Sequence, residues 1–318
     1  MDVAMVVLQQ WLTLAIAQWL VLWPMVLLGV CLSTAALMLT PRPWWEKMLP
    51  QNPWGQLLSG LTLGLLLPLG TGGAPPLVRR LFWQTGSTAG AIAFWLTTVS
   101  LNPFVLWALW QQLLGRGGLV FFYGSLSLTI VVFISGIFTF ERQRRSFPLG
   151  EAATFIYPAI ARPSSYRLPS TQPEAPSTIS KLTILPTIRR FRSLAAAQNF
   201  VQELLEWSAW LLIACGVMAG GQLLFPLEAL LDKGILGLLG AGFLYAIQPA
   251  TTAAIADLSL GNYSSGVALG LLLTGTFLNG ISLIFLINVV RWRAYSYLVL
   301  LLGLSVLALD LWLNFYVF

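Results

Sequence analysis

Histidine is absent from the 318 residues, and cysteine occurs only twice, as Cys31 and Cys215. Without imidazole there is no His-dependent catalytic triad, no histidine metal ligand and no imidazole proton shuttle. The two cysteines lie in separate apolar runs without CxxC spacing, which reads as small packing residues, with neither a disulfide nor a metal site expected. Charge is equally scarce, with Asp, Glu, Lys and Arg making up 9% of the chain. The carboxylates are scattered towards the ends of apolar runs, so no acid–base constellation can be assembled and an enzyme is not expected. No G-x-x-x-x-G-K-[ST] sequence is present, which leaves direct ATP hydrolysis unsupported. No cofactor is expected.

What is there is apolar: 57% of residues are hydrophobic, with a mean hydropathy of +0.80. A soluble domain of this length has no use for so much apolar side chain, whereas a polytopic membrane protein does. Runs long enough to cross roughly 30 Å of hydrocarbon recur along the chain. Eight spans are expected, within 11–39, 55–72, 87–113, 118–140, 204–224, 234–253, 263–290 and 294–317. The fold class is therefore an all-α polytopic membrane protein. The start MDVAMVVLQQ has no basic n-region and no A-x-A site, so a removable signal peptide is not expected.

The net charge of +6 is concentrated in one place. Arg142, Arg144, Arg145, Arg162, Arg167, Lys181, Arg189, Arg190 and Arg192 outnumber Glu141, Glu151 and Glu174. This placement reads as a cytoplasmic connector, 141–203, under the positive-inside rule, and not as a nucleic-acid surface. Within it, 158–187 is rich in Pro and Ser and reads as a flexible linker. The following IRRFRSLAAAQNFVQELLEWSAW reads as a basic amphipathic lead-in near the headgroups. With the connector inside, Arg79 and Arg80 also fall inside. Arg42, Lys47, Arg116, Lys233, Arg291 and Arg293 fall outside, and the Arg291/Arg293 pair runs against the rule. The tryptophans of the loop PRPWWEKMLPQNPW, Trp44, Trp45 and Trp54, read as an interfacial belt.

A polar motif occurs twice inside the apolar sequence. LLLPLGTGGAPPLVRRLFWQTGSTAGAIAFWLTTVSLNPF begins at Leu65, and GFLYAIQPATTAAIADLSLGNYSSGVALGLLLTGTFLNGI begins 177 positions on, at Gly242. Asn102-Pro103 pairs with Asn279-Gly280, Thr97 with Thr274 and Ser87 with Ser264. Upstream, Trp23 and Gly29 match Trp210 and Gly216 at an offset of 187. Two parallel four-helix repeats are expected, 1–140 and 204–318, because an even number of spans per unit preserves orientation. Paired interruptions of this kind point to a transporter's substrate site.

In hydrocarbon, irregular backbone is tolerated only against protein or a wet cavity. Residues 68–76 are expected to leave the helix, since Pro removes donors and Gly adds freedom, opening a helix end that favours a polar or anionic group. The expected pathway residues are Pro68, Thr71, Gly72, Gly73 and Asn102 in the first copy. In the second they are Gln248, Thr251, Thr252 and Asn279. Packing is the competing role for each Thr, because small and hydroxyl residues also let membrane helices approach and hydrogen-bond. Asp310 and Asp257 are candidates for coupling, since an intramembrane carboxylate is a functional candidate by default. Both positions also fit solvated helix ends.

The stretch LPLGTGGAPPLVRRLFWQTGSTAGAIAFWLTTVSLNP resembles a family of predicted bacterial permeases that includes ArsP-type organoarsenical efflux permeases. The resemblance covers most of the chain and implies a permease fold with its pathway at the doubled motif. Family members usually carry a Cys-Ser-Cys-Gly-like sequence where this chain has Gly70-Thr71-Gly72-Gly73. Glycine and threonine offer no thiolate to a soft trivalent arsenic centre. The expectation is thus a permease moving a small polar or anionic solute across a bacterial inner membrane, with its site between the repeats. The alternative is a non-transporting membrane scaffold or assembly factor that docks a partner through its basic loop. The expected partners are the lipid bilayer and a small solute, without nucleic acid, and a homo-oligomer is left open.

Overall fold

The computed structural model describes residues 2–39, 50, 52–85, 88–113, 117–144, 185–247, 251–252, 254–256, 265–290 and 292–317. The described residues are almost wholly helical. The chain order is α1 (Asp2–Leu39), α2 (Pro53–Leu66), α3 (Gly70–Thr85), α4 (Thr88–Ser100), α5 (Pro103–Gln112) and α6 (Gly117–Arg144). After the connector come α7 (Leu185–Leu224), α8 (Leu227–Leu231), α9 (Gly234–Tyr245), α10 (Ser265–Phe277), α11 (Gly280–Ile287) and α12 (Trp292–Trp312), closed by a π-turn at Leu313–Val317.

Among the described residues, six helical stretches are long and apolar enough to cross a membrane: Ala4–Ala36, Thr88–Gln112, Gly117–Phe140, Ala196–Leu224, Ser265–Ile287 and Trp292–Tyr316. The chain is an integral, multi-pass membrane protein. The expectation of eight spans is not met, because α2 and α9, of 14 and 12 residues, are too short to cross. Burial separates two of the six from the rest. Thr88–Gln112 and Ser265–Ile287 are 72% and 78% buried, against 28–44% for the other four. These two lie at the centre, and the others turn residues such as Val6, Leu20, Val132, Leu205, Leu300 and Leu304 outward, as lipid requires.

Contacts fix the direction of each element. Ser33 meets Glu203 near the end of α1, while Trp11 near its start bonds Gly216, so α7 runs antiparallel to α1. Within the first half, Gly73 lies against Gly29 and Arg80 against Ser33, so α3 runs parallel to α1 towards the connector end. Gly60 lies against Gly90 and Gly64 against Thr97, so α2 runs parallel to α4, from the connector end inward. Helices α2 and α3 therefore form a hairpin that enters the bundle and returns to the same end.

In the second half Leu238 lies against Gly270 and Gly242 against Thr274, so α9 runs parallel to α10. Asp310, near the end of α12, meets Thr274, while Tyr297 near its start packs on Phe138 of α6. Asn288, just after α11, bonds Glu206 at the connector end. So α9 and α10 run inward from the end opposite the connector. Parallel four-span repeats are not confirmed: in the first half the α2–α3 hairpin turns back and contributes no crossing, which changes the parity. Arg293, expected on the side opposite the connector, consequently lies at the connector end with Arg79 and Arg80.

The amphipathic lead-in is not a separate surface segment, since Leu185–Leu224 is one continuous helix and the expected unit boundary at 203/204 falls inside it. Residues 145–184, which hold most of the basic connector and its Pro/Ser-rich part, lie outside the described residues, as do Trp44, Trp45, Ser87 and Ser264. Cys31 is exposed on α1 and Cys215 is buried in the core, both as free thiols.

One polar bridge joins the halves at depth. The Tyr123 hydroxyl on α6 donates to the Ser100 carbonyl (3.2 Å) and lies 2.9 Å from Thr276 Oγ1 on α10. Thr276 Oγ1 also donates to Leu272 O at 2.7 Å, so the two hydroxyl protons are shared among three contacts. Tyr123→Phe is expected to cost about 1 kcal/mol, the net worth of a typical buried hydrogen bond. Thermal unfolding in detergent, with Thr276→Val as the second arm of a double-mutant cycle, measures it.

Candidate functional site

Each central helix is broken once, by the same device. Asn102 ends the run after Ser100 and caps α5, its Oδ1 accepting from Phe104 N at 2.8 Å. Asn279 caps α11 in the same way, accepting from Ile281 N at 2.8 Å. Proline follows Asn102, and its fixed φ and missing N–H suit the first helical position. Glycine follows Asn279. Each asparagine amide then reaches back to a second break. Asn102 Nδ2 donates to Leu67 O at 3.1 Å, and Asn279 Nδ2 donates to Ala246 O. These are carbonyls at the ends of α2 and α9, where the helix supplies no partner. A tight turn closes each of those breaks, with Leu69 N bonded to Leu67 O and Ile247 N to Tyr245 O, both at 2.9 Å.

The asparagines thus clamp two helix breaks together within each half. They are 1% and 2% exposed. Among the described residues, two of each amide's hydrogen-bonding positions are used, which leaves one N–H and one lone pair. The paired threonines pack alike. A Cβ on Gly64 would lie 2.7 Å from Thr97 Cβ, and one on Gly242 would lie 2.6 Å from Thr274 Cγ2. Thr97 Oγ1 is buried without a hydrogen-bond partner among the described residues, whereas Thr274 Oγ1 lies 3.2 Å from Asp310 Oδ2.

The first break is narrower than the sequence implies. It is confined to residues 67–69, and α3 continues from Gly70 through Pro75 and Pro76 to Thr85. The prolines sit close behind the break, where their fixed φ is helical and their clash falls on a first turn free to splay. They leave Thr71 O and Gly72 O without the usual backbone donor. Gly70 starts the helix at φ +54°, a conformation that favours glycine. Gly73 and Gly29 let α3 and α1 touch backbone to backbone: a Cβ on Gly29 would lie 2.2 Å from Gly73 O. Gly72 also faces α1, near Leu22 O, and Thr71 is buried. Pro68 lies in the turn, half-buried. Thr252 is buried against Gly275 and Thr251 is exposed. Gln248 and Asp257 lie outside the described residues.

A buried charge cluster closes the connector end. Arg79 makes a two-pronged contact with Glu206 (2.6 and 3.1 Å) and lies 3.7 Å from Glu203. Arg80 holds Glu203 at 2.9 Å, Ser33 donates to Glu203 at 3.1 Å, and Asn288 donates to Glu206 at 3.2 Å. The Arg79 guanidinium lies 4.8 Å over the Trp207 ring, which packs edge-on to Phe285. Arg79 is only 6% exposed, so it is not the solvated helix end that the sequence allows. Glu203 and Glu206 were not singled out in the sequence. Their i, i+3 spacing within FVQELLEWSAWLL puts both on one helix face, and it matches the adjacent Arg79-Arg80 pair.

Asp310 is fully buried and does not reach an aqueous end of α12. The two cavities described lie elsewhere, around α8–α10. One, of about 250 Å³, is bordered by Leu238, Val267 and Asn314, and the other, of about 350 Å³, by Leu230, Phe243 and Leu244.

Residues 7–315 match the ArsP_1 family, described as predicted permease. The chain belongs to this family. Two curated relatives carry part of the likeness. UPF0718 protein YcgR of Bacillus subtilis (strain 168) is 30% identical over 118 residues, covering 37% of this chain and 40% of that protein. UPF0718 protein YraQ of Escherichia coli (strain K12) is 33% identical over 92 residues, covering 29% and 27%. The match therefore spans less than half the length of either relative. No solved structure matches the chain. Family membership and the apolar helices support a membrane transporter.

Proposed function

We propose that this permease moves a small polar or anionic solute across a bacterial inner membrane, along a path between the two asparagine-clamped breaks. The supporting observation is the recurrence of one device, Asn on a broken helix holding a broken hairpin, on the two most buried helices. Half-helices that meet inside a bilayer aim N-terminal amides and C-terminal carbonyls at a common region, as discontinuous transporter helices do. Here α3, α5 and α11 offer N-termini, which favour negative charge. The hairpins enter from opposite ends, so the halves are read as inverted units, and rocking one against the other would expose the region to each side in turn. On this reading the chain between the spans ending at Phe140 and beginning at Ala196 lies in the cytoplasm, and the Arg79–Glu206 cluster seals that side.

Proteoliposomes loaded with a panel of radiolabelled small polar and anionic solutes, plus a trivalent methylarsenical, test the proposal. Downhill flux of a polar or anionic solute is expected, reduced at least tenfold in the Asn102→Ala/Asn279→Ala double variant. Unchanged flux in that variant would overturn the site.

The near-complete burial of Asn102 and Asn279 favours one other reading, a non-transporting scaffold that docks a partner through its basic loop. Deleting 158–187 distinguishes the two: a scaffold loses its partner, and a permease keeps its flux.

A further inference from the structure

We propose that Asp310 is a proton-binding site whose loading sets the position of the broken helix α10–α11, so that transport is driven by protons; the coupling half of this rests on the permease reading above. The site is built from two helices. Gly270 leaves the room for the carboxyl, because a Cβ there would lie 2.9 Å from Asp310 Oδ1. Thr274, one turn on, lies 3.2 Å from Oδ2 and 2.8 Å from Gly270 O. The threonine hydroxyl has one proton, and both neighbours are acceptors when the acid is ionised. A carboxylate would leave one of these two contacts without a hydrogen. A carboxylic acid completes both, donating to Thr274 Oγ1 while Thr274 donates to Gly270 O.

Among the described residues, no cation faces this carboxyl. Asp310 Oδ1 has no hydrogen-bond partner there. Helices α10 and α11 carry no titratable side chain, α9 carries only Tyr245, α8 only Glu228 and the π-turn only Tyr316. Asp232 and Lys233, in the turn before α9, are exposed. On α12 the others are Arg293, Tyr295 and Tyr297, towards its opposite end. On α6 they are Tyr123, held by Thr276, and Glu141, Arg142 and Arg144 at the connector end. An ionised carboxyl enclosed in this way must take up a proton, acquire a cation or move. Among the described residues the oxygens of this cluster are Asp310 Oδ1 and Oδ2, Thr274 Oγ1 and Gly270 O, fewer than the about six that a hard divalent cation takes, and a proton needs only one acceptor.

The site has a neighbouring cavity and a consequence. Leu238 and Asn314 border the 250 Å³ cavity; Leu238 Cδ2 lies 2.9 Å from where a Gly270 Cβ would stand, and Asn314 follows Asp310 by one turn. On the other side, Thr274 is wedged against Gly242, and Asn279 follows five residues later on the same broken helix. Losing the proton would set a charge against α10 and push that helix from Asp310. The first half has the matching threonine, Thr97, with no carboxyl against it, so among the described residues the device is present once.

Two measurements on the full-length protein test it separately. Infrared difference spectra of reconstituted protein, titrated with pH, should show the carbonyl stretch of a protonated carboxylic acid that is missing in Asp310→Asn. The asparagine variant is isosteric with the neutral acid and should keep the wild-type Tm. A spectrum unchanged by Asp310→Asn, or a band that responds to sodium at fixed pH, would overturn proton binding and leave the permease reading intact. In proteoliposomes, an imposed pH gradient should accelerate solute flux at least fivefold in the wild type. Asp310→Asn should retain downhill flux and lose that acceleration. Equal acceleration in both would overturn the coupling, and so would absence of flux from the wild type, which also sinks the permease reading.

Discussion

Arg79→Ala is expected to be the most destabilising single substitution at the connector end, by about 3 kcal/mol, the lower end of the cost of removing one partner of a buried pair, because the Glu206 side chain is 28% exposed. The arginine neutralises Glu206 through two hydrogen bonds and stands near Glu203, and after truncation Arg80 is left as the guanidinium facing two carboxylates. Truncation also strips the cation from the Trp207 face, a contact whose aromatic partner is itself fully buried. Desolvation acts mainly through Glu203, whose side chain is 4% exposed, because Glu206 at 28% keeps contact with solvent. Two controls separate this from simple packing. Arg79→Met with Glu206→Leu removes both charges and should recover most of the loss, since buried ion pairs are often replaceable by apolar residues. Arg79→Lys should recover only part, because a point charge cannot make the two-pronged contact. Thermal unfolding in detergent, followed by tryptophan fluorescence, reads all three. A loss below 1 kcal/mol for Arg79→Ala would show that water reaches the cluster freely.

Gly29→Val is the second substitution with a large expected effect, at about 3 kcal/mol or more, towards the upper end for overpacking. Two contributions compete. Replacing a mid-helix glycine removes up to about 1 kcal/mol of helix-propensity penalty. Against it stands a Cβ placed 2.2 Å from Gly73 O, a backbone atom that no side-chain rotation can relocate. Helices α1 and α3 would have to separate along their contact, and the clash wins. Gly29→Ala should fail in the same direction by less, and Gly124→Ala on α6, where a Cβ meets nothing within 4 Å, should be neutral or slightly stabilising. Equal Tm values for Gly29→Val and the wild type would mean that the α1–α3 contact is looser than described.

Much of this was legible in the chain. Hydropathy marks the apolar runs because lipid enforces apolar side chains wherever a helix faces it. The Asn-Pro and Asn-Gly pairs mark helix breaks because a side-chain cap and a residue suited to start a helix act locally. The direction of α2 and α3 was not legible. A 14-residue helix followed by a break has the same composition whether the chain goes on across the bilayer or turns back. The contacts of Gly60 with Gly90 and Gly73 with Gly29 decide that, and they join residues 30 or more positions apart in sequence.

The same holds for charge. Arg79, Arg80, Glu203 and Glu206 each look like the polar end of a span when read along the chain. Their partners lie more than a hundred residues away, so pairing is a property of the packed bundle. Asp310 differs in facing no cation among the described residues.

The sequence by itself determined the membrane class, the family, the absence of histidine and of cysteine at Gly70–Gly73, and the positions at which the central helices break. These follow from side-chain solvation and from backbone rules that act within a few residues. Only the tertiary structure decided that α2 and α9 enter from opposite ends, that the asparagines clamp pairs of breaks, and that a charge cluster and a solitary carboxyl lie buried in the bundle. Such features depend on which helices touch. In an apolar sequence many pairings bury similar area, and the close approaches at glycine and the few polar contacts select among them.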